Sequence, residues 1–117
     1  MNNCEATDEH SDSAHTLVVQ SHRLPIPSVW ISCCLDSVTR WAAQYGFDYR
    51  FLGNELFDLL PPGLRTKTSN QPIVASDLAR LLLIEKALNE GYRRVIWCDA
   101  DFLIFAPDEF ILSEDLY

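Results

Sequence analysis

Residues 93–105 read RRVIWCDADFLIF. After two arginines, Val95, Ile96, Trp97 and Cys98 form a continuous apolar run. Such a run is the pattern of a strand covered on both faces in a parallel sheet. Asp99 and Asp101 follow with only Ala100 between them, and apolar residues resume at Phe102. Carboxylates at the end of a buried strand are costly to keep charged without a partner. Open α/β sheets bind ligands at the carboxyl ends of their strands. The expected partner is therefore a divalent cation and, through it, a phosphate. An all-oxygen ligand set favours Mg²⁺ or Mn²⁺ over zinc. In an extended segment, residues i and i+2 point the same way, so both carboxylates are expected to face one ion. An isolated Asp-x-Asp is ordinarily a pair of solvated loop acids. The apolar runs on both sides weigh toward a site here.

Working upstream, Ser76 is expected to cap a helix closed by Gly91. Leu78, Leu81, Leu82, Ile84, Leu88 and the alanines would form its buried stripe. Asp77 then falls in the first turn, where a carboxylate suits the helix dipole. Asp77 and Arg80, three apart, share a helix face. Taken alone, S-D-x-x-R reads as a cap plus an intrahelical ion pair. A right-handed crossover brings this helix start to the carboxyl end of the sheet, beside Asp99.

Further upstream, residues 16–20 (TLVVQ) read as a first strand and 21–27 (SHRLPIP) as a proline-interrupted turn. Ser28 is expected to cap a helix reaching about Tyr45. Its apolar face would be Trp30, Ile31, Cys34, Leu35, Val38, Trp41 and Ala42, with Gly46 at the C-cap. Residues 47–52 (FDYRFL) read as a second strand, 53–68 as a short helix and turn, and 69–74 as a loop. Strands alternating with helices imply a parallel α/β sheet with helices on both faces. Residues 1–14 are polar, acidic and without period, the composition of a disordered tail.

The chain has 117 residues, enough for one small domain. Its net charge is −8, from 17 acids against 9 bases. This argues against nucleic acid, whose binding needs basic neutralisation of phosphates. It does not argue against a nucleotide, because a metal can supply positive charge locally. No apolar run approaches the length of a membrane span, and the N-terminus lacks signal-peptide features, so a cytoplasmic location is expected. Cys4, Cys33, Cys34 and Cys98 form no C-x-x-C, so a zinc site is not expected. Cys33, Cys34 and Cys98 read as reduced apolar packing.

Ser76-Asp77-Leu78-Ala79-Arg80, an apolar helix, Gly91-Tyr92 and then VIWCDAD at 95–101 together resemble the donor-binding half of a GT-A fold glycosyltransferase. The similarity is to families whose sugar-binding region carries the Asp-x-Asp motif. Residues 27–41, with their Trp and Cys, and GFDYRFL at 46–52 resemble the first helix and second strand of that fold. The resemblance covers roughly residues 16–112 and is most specific at 75–105.

The resemblance implies a Rossmann-like parallel sheet binding a UDP- or GDP-sugar donor. Asp101 would ligate Mn²⁺ or Mg²⁺ on the diphosphate, and Asp99 would touch the metal or the ribose. Arg80 would contact the sugar or diphosphate and Asp77 a sugar hydroxyl. Gln20 and Ser21 would lie beside the base. A GT-A domain continues well beyond its Asp-x-Asp strand, into the acceptor site and any catalytic base. Residues 15–117 are therefore expected to be a partial domain, with the acceptor unidentified. Two other readings stand beside this one. A haloacid-dehalogenase-type phosphatase also uses two aspartates at a strand end, but normally after its first strand and followed by Thr or Val. A small α/β interaction module, or a remnant of the enzyme, would have no chemistry.

Overall fold

The computed structural model describes residues 15–111. The tail expected at 1–14 and the last residues, 112–117, lie outside the described residues. Three strands, β1 (Thr16–Ser21), β2 (Asp48–Leu52) and β3 (Arg94–Trp97), form one parallel sheet in the order β2-β1-β3. Between them lie α1 (Val29–Gln44), a 3₁₀ helix (Asn54–Leu59), α2 (Pro62–Lys67) and α3 (Pro72–Asn89).

The first strand to be made is the central one. Leu17, Val18 and Val19 are buried, and their alternation sorts them between the two faces. Leu17 and Val19 pack with Ala79 and Leu83 of α3 and Leu56 of the 3₁₀ helix. Val18 packs with Val38, Trp41 and Ala42 of α1. The result is an α/β/α sandwich, as the alternation of elements predicts.

β3 departs from expectation. It pairs only with β1 among the described residues, and Val95, Ile96 and Trp97 are half-buried rather than covered on both faces. The doubly covered strand is β1 instead.

Helix α1 begins where the sequence indicates. The Ser28 hydroxyl accepts from the Ile31 amide at 3.2 Å, and Gly46 (φ 74°) turns the chain out of the C-terminus. Its buried face is Cys34, Ser37, Val38, Trp41 and Ala42, whereas Trp30 in the first turn is exposed.

Helix α3 begins earlier than expected. Pro72 opens it after Gln71, so Ser76 and Asp77 lie a turn inside rather than at the cap. Proline suits the first turn because the amide it lacks has no intrahelical partner there. Its buried stripe is Ala75, Ala79, Leu83 and Ala87. The stripe expected from the leucines is thus rotated. Leu78 and Leu82 flank the core, while Leu81 and Leu88 are exposed. Small residues at four-residue steps let the helix axis come close to the sheet, and that decides the buried face.

After β3 the chain packs against α1. The Trp41 indole N–H donates to the Phe110 carbonyl at 3.0 Å, and the Tyr45 hydroxyl donates to the Pro107 carbonyl at 3.1 Å. Ile104 is buried beside them, with its amide donating to the Ser37 hydroxyl at 3.0 Å. Among the described residues, no helix is long and apolar enough to cross a membrane.

Candidate functional site

A cleft of about 640 Å³ opens at the carboxyl ends of the three strands. Ser21, His22 and Arg23 enter it from the end of β1, and Gly53 and Asn54 from the end of β2. Leu56 and Phe57 of the 3₁₀ helix form an apolar wall. Trp97, Asp99 and Ala100 come from β3 and the turn after it, and Pro72, Ser76 and Arg80 from the first half of α3. All three strands run parallel, so every loop leaving them arrives at this edge.

Arg80 holds the centre of one wall. Its guanidinium carbon lies over the Trp97 ring, 4.9 Å from the centroid. One terminal nitrogen reaches Asp77 Oδ1 at 3.5 Å, a long and exposed ion pair of little energetic weight. Its Nε is buried and has no hydrogen-bond partner among the described residues. An unpaired buried donor costs free energy until an acceptor arrives. In a chain of net charge −8, two arginines face this cleft against one carboxylate, Asp99.

The Asp-x-Asp segment is not extended. The Phe102 amide donates to the Asp99 carbonyl at 3.0 Å, closing a turn over residues 99–102. The expectation that alternation aims both carboxylates one way is corrected, because strand alternation does not apply within a turn. Asp99 lines the cleft; Asp101 is exposed in the same turn and does not.

The remaining expected residues divide. Ser21 and Arg80 line the cleft, and Asp77 stands outside it, touching Arg80. Gln20 is fully buried and both ends of its amide are engaged, which corrects its expected place beside a ligand. Ser76, read as a cap, is a cleft residue. His22, Arg23, Asn54, Phe57 and Trp97 also form the walls and were not singled out by the sequence. Their signal was positional: Trp97 ends β3, and the others follow the carboxyl end of β1 or β2.

Cys98 sits just behind the site. Burial, with a smaller contribution from the neighbouring Asp99 charge, pushes its thiol up to about 11. It is a packing residue rather than a nucleophile.

No group of three or more His, Cys, Asp or Glu side chains converges among the described residues. Asp99 and Asp101 therefore do not make a protein-only cage. A divalent cation in the cleft would meet Asp99 alone on its wall, and would complete its shell with phosphate oxygens and water.

No protein-family model matches the chain, and comparison with curated proteins and with solved structures gives no match.

Proposed function

We propose that the cleft binds the diphosphate of a nucleotide sugar, and that the chain is the donor-binding part of a GT-A type glycosyltransferase. The observation that carries this reading is Arg80: a guanidinium over Trp97 with a buried, unpartnered N–H, lining the same cleft as Asp99. A planar cation held on an aromatic face keeps its N–H edges for an anion, and phosphate is the anion its fork matches. Ser21, His22 and Asn54 supply polar groups for a nucleoside, with Phe57 as apolar wall.

Asp99 and Asp101 would hold the Mn²⁺ or Mg²⁺. When bound, the cation neutralises charge on the diphosphate leaving group. Arg80 stabilises the same charge as the sugar–phosphate bond breaks.

Titration calorimetry with UDP and with GDP, each with Mn²⁺ and with EDTA, tests the reading. Binding of one nucleotide that tightens with Mn²⁺ is the expected result. Equal binding in EDTA removes the metal from the proposal, and no binding of either nucleotide leaves the interaction-module reading.

A further inference from the structure

Gln20 is the largest polar side chain buried in the centre of the sheet, with no exposed surface. Its Nε2 donates to the backbone carbonyl of Asp99 at 3.3 Å. Its Oε1 accepts from the Tyr49 hydroxyl at 2.8 Å. The orientation of the amide follows from these partners. A backbone carbonyl only accepts, so the NH₂ must face Asp99, and Oε1 then needs a donor, which Tyr49 supplies. Tyr49 is on β2, Gln20 on β1, and Asp99 leaves β3, so the relay crosses all three strands.

The Asp99 carbonyl also accepts from the Phe102 amide, the bond that closes the turn. Holding this carbonyl fixes the peptide plane between Asp99 and Ala100, and with it the direction in which the Asp99 side chain leaves the backbone. Ser37 grips the far end of the same loop at the Ile104 amide. The Asp-x-Asp turn is thus clamped at both ends by buried polar groups that do not line the cleft.

We propose that Gln20 and Tyr49 are positioning residues: they set where the Asp99 carboxylate stands and so set the cation affinity of the cleft, without touching ligand. The inference rests on the donor-site reading. Buried partners that orient a metal-bearing group are worth about ten- to a hundredfold in metal affinity where they have been removed.

Tyr49→Phe is the direct test, since it keeps the ring and deletes only the donor. Gln20→Met, an apolar side chain of similar length, is the second variant. Two readouts are taken by NMR on the whole chain. In the ligand-free protein, Tyr49→Phe speeds hydrogen exchange at the Phe102 amide. With UDP or GDP present, the Mn²⁺ concentration that broadens the 99–101 amide signals rises about tenfold. Nucleotide affinity in EDTA stays unchanged, which a merely structural lesion would not allow. If metal-dependent and metal-free binding fall together, or neither readout moves in either variant, the positioning role is overturned. If the parent itself shows no Mn²⁺ broadening with either nucleotide, the donor-site reading fails first and this inference falls with it. A parent that binds Mn²⁺ beside variants that bind it equally well sinks this inference alone.

Discussion

The guanidinium of Arg80 rests on the indole of Trp97, 4.9 Å from the ring centroid, and so joins α3 to the end of β3. Arg80 also lines the cleft, with its Nε buried and without a hydrogen-bond partner among the described residues. Arg80→Ala is expected to weaken nucleotide binding by about 1.5–3 kcal/mol even with metal present, the range of a charge-assisted bond. Arg80→Lys keeps the charge but not the stacked fork, and recovers only part of the loss. Calorimetry on the three proteins decides; equal affinities remove Arg80 from the site.

Asp101 lies in the turn but not on the cleft wall, so in the proposed donor site it would bear on the metal and not on the nucleotide. Asp101→Asn is expected to abolish the gain in nucleotide affinity that Mn²⁺ brings, while leaving affinity in EDTA intact. Reciprocity requires nucleotide to lose its effect on Mn²⁺ binding by the same factor. Asp99→Asn is expected to act in the same direction. An Asp101→Asn protein with undiminished Mn²⁺ response excludes it as a ligand.

Cys98 gives a pH signature. Its thiol is raised from 9.0 to about 11 in the folded chain, chiefly by burial. Above the lower value the unfolded chain sheds a proton that the folded chain keeps, so stability falls as pH rises from about 9 to about 11. Tyr49, raised mainly by burial, adds to the fall in the same direction. Urea midpoints measured from pH 8 to 11 check this, and Cys98→Ala is expected to flatten the early part of the slope. Peptide mapping after alkylation at pH 8 is expected to find exposed Cys33 modified and Cys98 protected until denaturant is added.

The rotated face of α3 is open to a paired test. Leu83 is 2% exposed and Leu81 62% exposed. Leu83→Ala is expected to cost about 2–4 kcal/mol in urea unfolding, through lost burial and a cavity. Leu81→Ala, at the surface, is expected to change stability by less than about 0.5 kcal/mol. The reverse order would restore the stripe read from the leucines.

That contrast marks what the sequence could and could not convey. The Ser28 cap, the Gly46 stop and the strand–helix alternation are local signals, and the elements they announce are present. The cleft at the strand ends follows from parallel pairing alone. The face of α3 is not a local property. Its leucines occupy most of the circumference, so the period was weak, and close approach to the sheet selects Ala75, Ala79 and Ala87. The proline at its first turn hid the helix start, because proline also ends helices. The Asp-x-Asp turn was misread as strand because the hydrogen bond that bends it, from Phe102 to Asp99, is backbone only. Gln20 looked like a strand-end polar group; its burial depends on Tyr49, 29 residues away.

The strand order has a consequence for synthesis. β1 emerges from the ribosome first, yet it needs a neighbour on each side, and its contact with β3 spans 78 residues, from Thr16 to Arg94. A nascent chain that has not yet released Trp97 holds its innermost strand with one flank bare. Loop closure over that distance must precede any reward from the contact. The three-stranded sheet therefore becomes possible only once β3 is released, and the turn with the two aspartates follows that strand directly. The candidate site, with that turn at 99–102, takes shape only after the third strand is in place.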